Sequence, residues 1–323
     1  MTLQDRGGSR ARTRMPAFLS IAAALVLALL QVTSGPVSAQ TAPAVEAPAS
    51  SVDAGTADPA LWVIRDEDST LYLFGTVHFL RPSTVWESSR VTAAFHASDM
   101  LVLEVADPND QSAVLPLVQQ YGMSPERPLS SLLTEEEFAR LEEAARTLGA
   151  GAAQMDVMRP WLAAVMLSSS VLLRAGYEPG SGADMILRER AVAAGKPVAG
   201  LETAEEQVQM LAGFPEEGQL VFLRRTLGDF DNADIVPDRL VEAWTTGNMD
   251  AVEALAVTTL LEDSALVYQR LLVERNLRWA DQIEAMLAGS GTAFIAVGAL
   301  HLAGDDSVQA ILRSRGVAVS ALH

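Results

Sequence analysis

The chain of 323 residues contains no cysteine. That absence excludes a disulfide scaffold and any thiolate-ligated metal or Fe–S centre. Aromatic residues are scarce, at 6%, so the core is expected to rest on Leu, Val, Ala and Met. Basic residues are also few: 23 Lys and Arg stand against 41 Asp and Glu, a net charge of −18. Phosphate binding needs a basic face, so this balance argues against nucleic acid, and equally against an anionic membrane surface. Beyond the N-terminus there is no apolar run of the roughly 18 residues that a membrane span needs. The nearest, Trp161 to Leu173, is broken by Ser168, Ser169 and Ser170. Hydrolase elbows of the Gly-x-Ser-x-Gly kind, His-Glu-x-x-His helices and phosphate-cradling glycine loops are missing too. What is present is apolar material, 49% of the residues, which excludes disorder throughout.

The N-terminus stands apart. Arg6, Arg10, Arg12 and Arg14 precede an apolar stretch from Pro16 to Leu30, and Val37-Ser38-Ala39 follows. A basic region, an apolar region and small residues in this order predict a secretory signal peptide over 1–39, cut after Ala39. The arginines are not adjacent, so a twin-arginine signal is not indicated. Gln31, Thr33 and Ser34 come too early for an uncleaved anchor. Cleavage would remove four arginines and one aspartate, leaving 19 basic and 40 acidic residues, or −21. The expected destination is the periplasm of a Gram-negative cell, or the exterior, with no stable membrane span after cleavage. Residues 40–59, rich in Ala and Pro, predict a flexible linker. Residues 60–323 predict one α/β domain.

Within that domain, Leu61–Ile64 and Ser69–Phe74 predict a hairpin turning at Asp66-Glu67-Asp68. Met100–Val105, 196–201, Thr292–Val297 and Val317–Leu322 predict further strands. Two Thr-x-x-Glu capping boxes, Thr84 to Glu87 and Thr134 to Glu137, predict helix starts. Helical patterns fill 160–175, 182–194, 203–212, 216–228, 237–246, 249–262 and 265–288, and a last one runs from Asp306 to Arg315. The expected fold is therefore α/β: a mixed sheet built from N- and C-terminal strands, carrying a large central helical insertion.

Four predicted strands end on chemistry-bearing residues. Leu71–Phe74 runs into Gly75-Thr76-Val77-His78, and Phe294–Val297 runs into Gly298-Ala299-Leu300-His301. Leu101–Leu103 delivers Glu104, and Val198–Leu201 delivers Glu202. Open α/β sheets bind ligands beyond the carboxyl ends of their strands, so these four side chains can converge. The glycine lets the chain leave the strand sharply and approach a neighbour closely. Two imidazoles and a carboxylate make a borderline metal site with room for water. Each residue also has a plainer role: His78 and His301 as loop histidines, Glu202 as a helix-capping acid. Glu104 in an apolar run is costly to bury ionised, which weighs towards function. Arg159 opens a helix at Arg159-Pro160-Trp161 and can point at an acidic site or form a surface pair; Arg275 lies deep in a helix at Glu274-Arg275-Asn276, whose plainer reading is a solvated face. His96 is read as structural, and His323 as terminal and solvated.

At these residues the chain resembles the TraB/GumN family, with its Tiki-like proteases. The resemblance rests on Leu73–His78, Leu101–Glu104, Arg159-Pro160-Trp161 and Gly200–Thr203. It continues through Glu274-Arg275-Asn276 with Trp279, and Val297–Gly304. It implies a fold similar to that of erythromycin esterases and haem-binding ChaN-like proteins. For Tiki-like members it implies metal-dependent proteolysis through paired Gly-x-x-His motifs and a glutamate. Here those would be His78, His301 and Glu104, binding a divalent ion such as Mn²⁺, Co²⁺ or Zn²⁺. Glu104 is expected as a ligand or as the general base, and Glu202 as a supporting carboxylate or further ligand. Arg159 and Arg275 are expected to hold a substrate carboxylate or an oxyanion. The expected function is an exported metallohydrolase acting on a peptide or small-molecule substrate. The alternatives are a non-catalytic haem- or ligand-binding protein using the same histidines, and an interaction module built on the central helices.

Overall fold

The structure is a computed structural model and describes residues 57–230 and 236–322. The expected signal peptide and almost all of the linker lie outside these residues. Among the described residues, no helix is long and apolar enough to cross a membrane.

Six strands form one mixed sheet: β1 Leu61–Arg65, β2 Ser69–Thr76, β3 Met100–Leu103, β4 Val198–Gly200, β5 Gly291–Gly298 and β6 Val319–Ala321. Their spatial order is β4-β3-β5-β2-β1-β6. β1 and β2 pair antiparallel, Leu61 opposite Phe74 and Arg65 opposite Thr70. The Asp66 carboxylate closes their turn by accepting from the Ser69 amide at 2.8 Å, which is the usual chemistry of an Asx turn. β2, β5, β3 and β4 are mutually parallel, with Tyr72 beside Phe294, Leu101 beside Phe294, and Leu103 beside Gly200. All four therefore end on the same edge of the sheet.

Side chains alternate between the two faces, as strand geometry requires. Leu61, Val63, Tyr72, Phe74, Leu101 and Phe294 pack into the core on one face. Trp62, Ile64, Leu71, Leu73, Val102 and Ile295 pack into the core on the other. A third core, around Leu141, Met155, Leu167 and Leu223, belongs to the helices between β3 and β5. The cores are mostly aliphatic, as expected, and the few aromatics are concentrated. Phe74 lies 5.8 Å from Trp86, 6.3 Å from Trp244 and 5.7 Å from Phe294, centroid to centroid. The Trp244 indole donates to the Gly75 carbonyl at 2.7 Å, so this cluster also holds the end of β2.

Several local expectations need correction. The Thr84 box does not start a helix: Ser88 caps helix Ser89–Ala97, and Glu87 pairs with Arg190 instead. The Thr134–Glu137 box forms with both of its hydrogen bonds. Helix Gln111–Gly122 was not foreseen, because Pro116 interrupts its pattern. The strand expected to Val105 stops at Leu103, where Glu104 leaves the ladder. The helix expected over 265–288 contains a π turn at Gln269–Val273, directly before Glu274-Arg275-Asn276.

The centre of the sheet carries the fold. Ile295 is fully buried in the middle of β5. Ile295→Ala should lower unfolding free energy in urea by about 2–5 kcal/mol, through lost transfer energy plus an unfilled cavity. Val192→Ala, on an exposed helix position, should change it by less than about 0.5 kcal/mol.

Candidate active site

The common edge gathers the residues singled out in the sequence. Gly298 ends β5, and a short helical turn over Ala299–Leu302 places His301. His78 follows β2 by two residues, Glu104 follows β3 directly, and Glu202 follows β4 by two. Their shared point is Gly298. Its amide donates to Glu104 Oε1 at 2.7 Å. A Cβ there would stand 3.0 Å from Glu104 Oε1, 3.4 Å from His78 Nε2 and 3.6 Å from His301 Cδ2. Any side chain would therefore fill the space onto which these three groups converge.

Arg275 sits at the heart of the site, not on a solvated helix face. Its side chain is 6% exposed and is aimed inward by the helix that follows the π turn. Nη2 donates to Glu104 Oε2 at 2.5 Å, and also to Glu202 Oε1. Nε donates to Glu202 Oε2 at 3.2 Å. Gln207 Nε2 adds a bond to Glu202 Oε1 at 2.8 Å and a longer one to Glu104 Oε2 at 3.3 Å. Glu202 therefore caps no helix. Thr203 does that, with Glu206 completing the box.

The two histidines differ. His301 Nε2 lies 3.0 Å from Arg275 Nη1, and Nδ1 lies 2.5 Å from Asn276 Oδ1. An arginine can only donate and Asn276 Oδ1 can only accept, so the ring is neutral with its proton on Nδ1. The Asn276 amide nitrogen in turn donates to the Asp306 carbonyl at 2.7 Å. Trp279 packs against the ring, with centroids 4.3 Å apart. Burial, reinforced by Arg275, pushes the pKa of His301 down to about 3. His78 meets Asp184 Oδ1 across 3.2 Å at Nδ1, an ion-pair contact without linear hydrogen-bond geometry. Burial alone would push this imidazole down; the Asp184 and Glu104 carboxylates outweigh it and push it up to about 9. Glu104 responds the opposite way. Burial opposes its charge, yet Arg275, the histidines and the Gly298 amide hold its carboxyl well below the usual range.

Asp184 was missing from the expected set. It opens helix Ala183–Ala193, and the Gly182 before it runs so close to His78 that a Cβ would stand 2.2 Å from the His78 carbonyl. A glycine followed by an acid at a helix start was the available signal, but nothing local linked it to His78. Arg159 is placed elsewhere. Its guanidinium donates to the carbonyls of Tyr121 at 3.1 Å and Ala212 at 2.8 Å, tying helix ends together. It does not line the site cavity.

The deciding comparison is with family models: the TraB/PrgY/gumN family model matches residues 60–321. The chain belongs to this family. Among curated proteins it is similar to YbaP of Escherichia coli (strain K12), described as uncharacterized, at 25% identity over 79% of this chain and 92% of that protein. The match to YbaP of Shigella flexneri has the same extent. No solved structure matches significantly.

The Gly298 cradle faces one carboxylate oxygen, Glu104 Oε1, one ring nitrogen, His78 Nε2, and the Cδ2 edge of the His301 ring. Glu104 Oε1 lies 3.8 Å from His78 Nε2 and 3.9 Å from His301 Nε2. Ligands about 2.1 Å from a shared tetrahedral ion stand about 3.4 Å apart, so the array is slightly open. Among the described residues, no group of three His, Asp or Glu side chains is placed to hold a metal ion as it stands. Arg275 occupies one of these three donor atoms, His301 Nε2, where an ion would have to take its place.

Removing one partner of this buried charge network leaves the others uncompensated. Arg275→Met should cost about 3–5 kcal/mol in urea denaturation, far more than an exposed pair such as Arg140–Glu136. The pH profile of stability should fall on both sides of neutrality. The raised His78 contributes stability that is complete below its unfolded pKa of 6.5 and lost as pH rises through about 9. The depressed His301 contributes stability that is present above 6.5 and lost as pH falls towards 3. Glu104 adds to the acid loss below about 4.5, its unfolded value. Urea titrations across pH should show His78→Gln flattening the alkaline limb and His301→Gln the acid limb.

Proposed function

We propose that this TraB-family protein is an exported, metal-dependent hydrolase that acts on peptides, with its site at His78, Glu104 and His301. One observation carries the reading: two neutralisable imidazoles and an ionised carboxylate meet at the ends of three parallel strands, over a glycine with no side chain to fill the gap. A divalent cation such as Mn²⁺, Co²⁺ or Zn²⁺ supplies there the polarisation of a carbonyl and the acidification of water.

The protein's own groups do the rest. His78 and His301 hold the ion through Nε2, because Asp184 and Asn276 engage the other nitrogen of each ring. Glu104 serves better as a ligand than as a general base, because Arg275 and the Gly298 amide keep its proton affinity low. His78 must release its proton to bind the ion, so affinity should rise steeply with pH. Arg275 keeps Glu104 charged in a dry setting, and Glu202 holds Arg275 in place. Hydrolysis adds water across the amide: the carbonyl carbon gains oxygen, the C–N bond breaks, and the leaving nitrogen takes a proton. Export, by the signal peptide over residues 1–39, would place this activity in the periplasm or outside the cell.

Elemental analysis of the purified protein should find close to one divalent ion per chain, and His78→Ala/His301→Ala should lose it. Loaded protein should hydrolyse a peptide library, with His78→Ala slower by about 10²-fold or more. Ion binding in the double variant equal to that of the parent would overturn the assignment. A Soret shift on adding haem, without hydrolysis, would favour the ligand-binding alternative.

A further inference from the structure

The cavity above His78, Glu104, Gly298 and His301 has a polar floor and apolar walls. Its volume is about 70 Å³, and it opens to solvent at its mouth. Val77, Leu172, Leu240, Val241, Leu272 and Leu300 supply the walls. They come from the exit of β2, helix Pro160–Arg174, helix Val236–Thr245, the π turn and the turn carrying His301. The one aromatic hydroxyl beside them, on Tyr177, is turned to Asp238, which also binds Arg81. That network pins helix Val236–Thr245 over the cavity, so Leu240 and Val241 form a fixed wall.

The charge within the cavity is spent. Arg275 is shared between Glu104 and Glu202, and His78 faces Asp184. A polar or charged side chain entering between the apolar walls would lose its hydration there, since the one unpartnered hydroxyl of the lining, on Thr76, cannot replace a full hydration shell. An apolar one would gain in proportion to the area it removes from water. The space is continuous with the reacting edge, so the occupant belongs to the molecule whose bond lies there.

We infer that this cavity is the specificity pocket of the site, and that it takes an apolar side chain of Leu, Met or Phe size from a peptide, next to the bond to be cleaved. This inference rests on the hydrolase reading for its chemistry, though not for its binding. The test uses the metal-loaded full chain and blocked peptides that differ at one position: Leu, Phe, Ala, Gln or Asp. Binding is followed by fluorescence anisotropy and cleavage by chromatography. Leu and Phe peptides should bind and be cleaved at least about 10-fold better than Ala, Gln or Asp peptides. Two variants of the half-buried Val241 probe the wall: Val241→Asp should erase that preference, and Val241→Phe, which fills the cavity, should favour Ala over Leu. The apolar preference in binding, with no cleavage of any peptide, would sink the hydrolase reading and leave the pocket standing. Cleavage indifferent to the varied residue and to both variants would overturn the pocket and leave the hydrolase. Laurate binding more tightly than every peptide, in a manner lost in Val241→Asp, would also overturn it by assigning the space to an acyl chain.

Discussion

The guanidinium of Arg275, shared between Glu104 and Glu202, is the constraint from which the site follows. Each carboxylate ends a different parallel strand, and neither can stay ionised away from water without a partner. One buried cation serves both. It also donates towards His301, so one side chain fixes the relative positions of β3, β4 and the turn after β5. A pair of this kind adds little net stability over an apolar alternative, since desolvating three charges costs nearly what their attraction returns. Its value is positional: it holds a carboxylate charged and aimed in a place where an uncharged core would be easier to pack.

The fold accommodates this because a parallel sheet puts strand ends side by side. β2, β5 and β3 are neighbours, so His78, Gly298 and Glu104 come within reach although the chain separates them widely. The antiparallel β1 and β6 extend the sheet away from the site and add no group to it. Strand pairing thus decides which residues meet, and local turns decide how. After β2 the Trp244 indole holds the Gly75 carbonyl; after β5 a single helical turn swings His301 back over the edge.

Much of this was legible in the sequence, for a physical reason. A Gly-x-x-His after an apolar run, or an acid at the end of one, breaks the pattern that burial alone would select. Such breaks mark strand ends where polar groups are gathered, and His78, Glu104, Glu202 and His301 were all visible on that ground. Arg275 was harder, because an arginine between polar neighbours on a helix reads as solvated. The π turn before it rotates the helix register, and such a turn has no clear signature in residue types. Asp184 was invisible for a related reason: it looks like any acid in a first helical turn, and only tertiary contact reveals its partner. Arg159 carried a motif but serves as a tie between chain carbonyls.

The two histidines show how one fold assigns opposite roles to one residue type. His301 is enclosed by an arginine, an amide oxygen and an indole, so its lone pair is kept available at neutral pH but is presented to Arg275. His78 faces two carboxylates, so it carries a proton. A cation entering the Gly298 cradle would meet both obstacles at once, a guanidinium on one nitrogen and a proton on the other. Binding would therefore have to expel a proton and break the Arg275–His301 hydrogen bond, and the net charge of the cluster would rise by only about one unit on replacing the proton with a dication. A change of one unit, in place of two, would lower the cost of exchanging a proton for a metal ion in a buried site.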